Sequence, residues 1–295
     1  MKLIIPAVIV CVFATISGCG AALKSDPRDN SSQFEGFPSY KIDRPINDHI
    51  EVVVPIGNGK KQQTVTVETT IGDNLSELDR LVTKTKWNID FEQGQILTSL
   101  NTVMQLSTPD VQDLIFEVDE ELVSHTDGKS ISYQADFSKL ESEVSADLIE
   151  IYNQVQPQWI TQEYHIDELG TLIKTGYKIR PSVIREELLE EILGTDMSSK
   201  IDNFEIVEGY GKYENKKVIV TSYMVNKTFP DNGSTVAIKG KGYNLYDAES
   251  FIHVFGDFLI LVNVSDDAGE IVNMKVQVEH LSEDYAVNGF IRAKK

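Results

Sequence analysis

The sequence predicts an α+β protein: a curved antiparallel sheet, mainly C-terminal, with helices from the middle region packed on one side. Two observations lead there. From Phe204 onward, β-branched and aromatic runs recur at Lys217 to Val225, Ser234 to Gly240, Phe258 to Val264 and Ile271 to Val278. They are separated by the turn sequences Pro230-Asp231-Asn232-Gly233 and Asp266-Asp267-Ala268-Gly269, and such short connections suit an antiparallel meander, because parallel strands need longer crossovers. In the middle of the chain, by contrast, aliphatic residues recur at helical spacing.

Taken in order, residues 20 to 45 are rich in Ser, Asp, Pro, Asn and Gly, and read as a flexible tether over 19 to 45. Folded structure is expected from Ile46, as one mature domain over 46 to 295 with a possible subdivision near 196 to 204. Val52-Val53-Val54 and Thr64-Val65-Thr66-Val67 flank Gly57-Asn58-Gly59-Lys60 and read as two strands with a glycine turn. Three helices are then expected. The first carries Leu75, Leu78, Leu81 and Val82 behind a capping box at Asn74 and Glu77. The second carries Ile96, Leu97, Leu100, Val103 and Met104; the third carries Val111, Leu114, Ile115, Val118 and Leu122, behind Thr108 and Pro109. Apolar helix stripes of this kind pack on a sheet or on each other, and they also line lipid grooves.

Lys129 to Phe137 alternates as a strand, and Ser138 with Glu141 opens a helix through Leu140, Val144, Leu148, Ile151 and Val155. A last helix is marked from Pro181 to Leu193, stopped by Gly194, with Glu186, Glu187, Glu190 and Glu191 as a solvated face. One internal echo stands out when Gly170 is laid on Gly269. Asp167 then meets Asp266, and Leu172, Ile173, Tyr177 and Ile179 meet Ile271, Val272, Val276 and Val278. A duplicated sheet unit would give this, and so would any two acidic turns ending in glycine between strands.

The chemistry-bearing residues form no recognisable catalytic signature. The five histidines, His49, His125, His165, His253 and His280, show no zinc spacing, and His165 and His253 read as packing or surface residues. There is no Gly-x-Ser-x-Gly elbow. Gly209-Tyr210-Gly211 and Gly240-Lys241-Gly242 lie among strand signals, where glycines mark bulges or close strand contacts rather than phosphate loops. Asp119-Glu120-Glu121 are adjacent acids that point different ways, and Asp266, Asp267 and Glu270 read as a solvated turn. Tyr210, Tyr213, Tyr223, Tyr243, Tyr246, Phe251, Phe255 and Phe258 suit an antiparallel core, or a sheet face that binds sugar or peptide. No cofactor, metal or catalytic residue is therefore assigned. The formal charge of −19 repels phosphate backbones, which argues against nucleic acid as a partner.

The N-terminus supplies an address. Met1-Lys2 precedes an apolar run from Leu3 to Ala14, too short for a bilayer, which needs about 20 residues. Ile16-Ser17-Gly18-Cys19 follows, an aliphatic and two small residues before a cysteine. This resembles the lipobox of bacterial lipoproteins. The resemblance covers residues 1 to 19 and implies a signal peptide over 1 to 18, cleavage before Cys19 and acylation of its thiol. Two or three chains hold a protein stably at a membrane where one does so only marginally. An ordinary signal cut near Gly20 to Ala22 is the plainer alternative. With Gly20 after the cysteine, the expected location is the outer membrane of a Gram-negative cell or the outer face of a Gram-positive plasma membrane. Of the two cysteines, Cys11 leaves with the signal, so the mature chain has no disulfide. The expected function is non-enzymatic binding of a small hydrophobic ligand or an envelope protein. The alternative is an anchored hydrolase that acts on envelope polymers through paired carboxylates.

Overall fold

The middle of the chain alternates with a period of two once threonine is counted among the core residues. Over 81 to 91 the sequence runs Leu-x-Thr-x-Thr-x-Trp-x-Ile-x-Phe, and the intervening positions include Lys84, Lys86, Asn88 and Asp90. Threonine is β-branched and carries a methyl group, so it fits a pleated, packed surface as valine does. Strands result. The computed structural model describes residues 34–55, 59–72, 79–92, 95–108, 111–125, 131–136, 170–179, 205–231, 234–265, 271–287 and 290–291. These residues are overwhelmingly antiparallel sheet and contain no α-helix, which overturns the α+β expectation. The second and third expected helices are strands, and so is the first from Asp79 onward. The helices expected over 138–155 and 181–193 lie outside the described residues.

Fifteen strands are described. β1 is Ile50–Glu51, β2 Val54–Pro55, β3 Gly59–Gly72, β4 Asp79–Glu92, β5 Gln95–Thr108, β6 Val111–His125 and β7 Ile131–Asp136. β8 is Leu172–Ile173, β9 Lys178–Ile179, β10 Glu205–Tyr213, β11 Lys216–Asp231, β12 Ser234–Asp247, β13 His253–Ser265, β14 Ile271–Val287 and β15 Phe290–Ile291. Eleven of them form one sheet in the order β7-β6-β5-β4-β3-β14-β13-β12-β11-β10-β9. The C-terminal meander is as expected, with longer strands, and a second meander from β3 to β7 joins it along β14 and β3, from Asn273 opposite Gly72 to Val287 opposite Gly59. Strands of 14 residues span about 48 Å at the usual rise of ~3.4 Å per residue. Among the described residues the short strands β7 and β9 end the sheet.

The first strand and turn of the echo, over 159–169, lie outside the described residues. β13 and β14 pair with each other, whereas β8 pairs with β1 and β9 with β10.

The two faces of the sheet differ. On one, the core face, Val65, Trp87, Ile89, Leu100, Val118, Phe258, Ile260 and Val278 are buried. On the other, the outer face, Lys84, Lys86 and Asn88 are exposed, and ion pairs join Lys60 to Asp90 and Arg80 to Glu68. Such exposed pairs contribute little stability.

At the β10–β13 end both faces are covered. Residues 34 to 44, within the stretch read as tether, lie against the outer face. Phe34 is buried beside Phe37, with the Lys239 ammonium 5.1 Å from its ring centre, and Tyr40 packs with Tyr213, Tyr243 and Phe255 around Val218, Val220, Leu245 and Val254. The chain then bridges to β10 through Arg44 and Tyr210. A Cβ on Gly209 would stand 2.5 Å from the Arg44 carbonyl oxygen, so this close passage requires glycine there. Beyond it, Ile46, Val52 and Val53 join Ile173, Ile179, Val207, Ile219, Tyr246 and Phe251 in a cluster on the core face.

Candidate functional site

A band of polar side chains crosses the core face, through residues that lie more than 200 positions apart in the sequence. It begins at Glu205 on β10. Thr221 Oγ1 and Asn244 Nδ2 each donate to the Glu205 carboxylate at 2.5 Å, and Tyr246 OH donates to it at 3.1 Å. The Asn244 oxygen lies 3.0 Å from His253 Nε2. Ser282 Oγ donates to the His253 carbonyl at 2.8 Å and stands 3.5 Å from Gln63 Oε1.

On the far side of Gln63, Thr85 and Thr102 hydroxyls are 3.1 Å apart, and Thr102 donates to Glu120 Oε2 at 3.2 Å. Because that proton is committed to the carboxylate, Thr85 is the donor to Thr102. Glu120 is 1% exposed, so the threonine hydrogen bond supports a carboxylate that burial alone would penalise.

Between the two runs, Gln63 on β3 and Trp87 on β4 are direct cross-strand partners, 2% and 3% exposed. Gln63 Nε2 and Trp87 Nε1 are both buried with no hydrogen-bond partner among the described residues, and the same holds for Thr83 Oγ1 farther along β4. Indole N–H is a donor only, so nothing but an acceptor can satisfy it. An unmet buried donor costs about 1–3 kcal/mol.

Small residues make room for the band. A Cβ on Gly256 would stand 2.4 Å from Asn244 Oδ1 and 3.1 Å from His253 Nε2. A Cβ on Gly242 would meet the Phe258 ring, which packs edge-on against Tyr223 at 5.7 Å. Gly209, Gly211 and Gly242 thus serve close backbone contacts and, after Val207, a bulge.

The outer face carries a second group. Tyr213 stacks on Phe255 at 5.5 Å, Tyr243 lies 6.0 Å from Phe255, and Tyr40 lies 5.1 Å from Tyr243. Next to them Asp257 opposes Glu279 across β13 and β14, and Asp257 Oδ1 is buried with no hydrogen-bond partner among the described residues. Burial, and then the Glu279 carboxylate, push Asp257 above its ordinary value. Burial first, then Asp257, Tyr40, Tyr213 and Glu279, push Tyr243 up to about 12.

Both groups are harder to ionise folded than unfolded. The stability they contribute is therefore fully present below the unfolded pKa and is lost as pH rises through the folded one. For Tyr243 that window runs from 10.0 to about 12. Asp257→Asn is expected to stabilise the protein at pH 7, with the gain vanishing as pH falls below the ordinary aspartate value of 3.8. It is also expected to lower the Tyr243 phenol pKa, read as the difference between phenolate absorbance titrations with and without Tyr243→Phe. A midpoint indifferent to Asp257 would refute the coupling.

The expected site residue, Cys19, lies outside the described residues. Of the histidines, His253 is a packed core residue of the band, with its ring edge-on to Tyr246 at 5.5 Å, and His49 is exposed. His165 lies outside the described residues. Asp119-Glu120-Glu121 lie on a strand instead of a helix, with Glu120 on the core face and its two neighbours on the outer one. Among the aromatics, Tyr223, Tyr246, Phe251 and Phe258 are buried, while Tyr213, Tyr243 and Phe255 line the outer face beneath Tyr40. Sequence reading missed Gln63, Trp87, Glu205 and Asn244, for only the strand register places them together. Among the described residues no cluster of three or more His, Cys, Asp or Glu side chains is arranged for a metal, and no helix is long and apolar enough to cross a membrane.

Comparison with known protein families gives no match, and no curated protein matches. Among solved structures the chain is similar to one described as lipid–protein interactions in lipovitellin, at 10% identity and a TM-score of 0.43. The likeness covers 81% of this chain and 26% of that one, so this chain spans about a quarter of its length.

Proposed function

We propose that the protein is a lipid-anchored envelope protein that holds a ligand rather than transforming one. The observation that carries this reading is the polar band. A buried face of tryptophan, aliphatic side chains and threonine offers polar atoms that lack partners among the described residues, which is how binding sites fix orientation within apolar surroundings. The side chains of the band are also engaged in ways that suit binding. Ser282 gives its proton to a backbone carbonyl, not to an imidazole, so Ser282 and His253 do not form a nucleophile and base pair. Attachment rests on Ile16-Ser17-Gly18-Cys19. The test is to purify the mature protein from native membranes and extract it with organic solvent. A stoichiometric small molecule is expected, and an empty extract would sink the reading.

The anchor has its own test. Cys19→Ser is expected to abolish incorporation of labelled palmitate and to leave the chain as uncleaved precursor or as soluble product. Undiminished labelling would remove the anchor.

An anchored hydrolase is the second reading, and Asp257 with Glu279 favours it. Glycoside hydrolysis uses one protonated and one ionised carboxyl, and burial together with the neighbouring Glu279 holds Asp257 above its ordinary value. It ranks second because the two groups stand side by side on one sheet face and do not flank a gap. Loss of polymer hydrolysis in Asp257→Asn and Glu279→Gln would promote it.

A further inference from the structure

We propose that Gln63 and Trp87 form the head-group end of an acyl-lipid site, in which a carbonyl or carboxyl oxygen accepts hydrogen bonds from Trp87 Nε1 and Gln63 Nε2. The inference deepens the ligand-holding reading and rests on it. Three features carry it.

First, the two side chains are direct partners across β3 and β4, which places their Cβ atoms about 4.5–5.5 Å apart on one face. One oxygen with two lone pairs, or two oxygens of one carboxyl group, can serve both donors. Second, the donors are buried at 2% and 3% exposure and have no partner among the described residues. The Ser282 hydroxyl lies 3.5 Å from Gln63 Oε1, at the outer limit of hydrogen-bond distance, and already donates to the His253 carbonyl at 2.8 Å. Third, the surroundings combine aliphatic side chains with buried Lys61, Thr85 and Thr102 on the same face. Leu100 is next to Trp87 across the strands, and Ile89, Val65, Val118 and Val278 complete a buried aliphatic surface. A group with acceptor oxygens at one end and hydrocarbon beyond matches that arrangement.

The chain has two tryptophans, Trp87 and Trp159, which makes the site readable by fluorescence. The full mature protein is titrated with a brominated long-chain fatty acid, and separately with vesicles of phosphatidylcholine brominated on the same carbon. Bromine quenches indole on contact. Saturable quenching that disappears in Trp87→Phe, where Trp159 is the remaining tryptophan, is the expected result. Quenching by the free acid alone assigns a carboxyl head, and quenching by the vesicles assigns an acyl ester.

Gln63→Leu removes the amide at nearly constant volume and is expected to weaken binding about five- to tenfold, the value of one buried hydrogen bond. In delipidated protein the same change should leave the melting temperature equal or higher, because it deletes an unsatisfied donor. That outcome distinguishes a lost ligand contact from a damaged fold.

No saturable quenching by either probe, or equal affinity in Gln63→Leu, overturns the proposal and leaves the two donors to an ordered water. If solvent extraction meanwhile yields a stoichiometric ligand without acyl chains, the ligand-holding reading survives and the acyl site alone falls.

Discussion

Glu205→Ala is expected to destabilise the protein by about 3 kcal/mol, measured as a shift in urea unfolding midpoint at unchanged slope. The carboxylate accepts from Thr221, Asn244 and Tyr246, which are 0%, 7% and 3% exposed. Truncation strands these donors away from water, and each costs more unmet than its hydrogen bond contributes when made. The loss also propagates, because Asn244 holds the His253 ring with its other atom. Glu205→Gln keeps one acceptor oxygen and is expected to cost about half as much. A Glu205→Ala protein as stable as the parent would show that the band is an incidental alignment.

Gly242→Ala is expected to cost about 2–3 kcal/mol, or to prevent folding, although it adds a single methyl group. That methyl would lie 2.3 Å from Phe258 Cδ1 and 2.5 Å from the Asp257 carbonyl oxygen. The ring cannot retreat freely because Tyr223 packs edge-on against it, and the carbonyl belongs to the ladder between β12 and β13. Combining the change with Phe258→Leu should recover part of the loss if the ring is the obstacle, and none if the backbone is. Gly176→Ala provides the contrast. A Cβ there meets nothing within 4 Å, so only the strain of φ +86° remains, about 1 kcal/mol. Equal costs at the two sites would refute the steric account.

The C-terminal meander was legible in the sequence because its strands are bounded by short glycine-containing turns and rich in valine, isoleucine and tyrosine. The N-terminal meander was not, and the reason lies in particular residues. On β5, Ile96, Thr98, Leu100, Thr102, Met104 and Leu106 alternate, but with Thr98 and Thr102 counted as polar, Ile96, Leu97, Leu100, Val103 and Met104 imitate a helical stripe. On β6 the imitation was stronger, because Glu120 sits on the core face where an aliphatic residue would complete the alternation. Thr102 and Glu120 are polar groups of the band. Local pattern failed where the core face departs from plain hydrocarbon, as expected where a sequence serves something besides packing.

By itself the sequence determined what is local or chemical: the lipobox-like segment, the acidic balance, and the strands and turns after Phe204, all set by residues close together in the chain. Only the tertiary structure decided that β3 lies against β14, and with it that Gln63 stands near Ser282 and opposite Trp87. A one-residue slip in either pairing would send those side chains to the outer face, and such register is fixed by the match of whole strands, not by any short stretch of sequence.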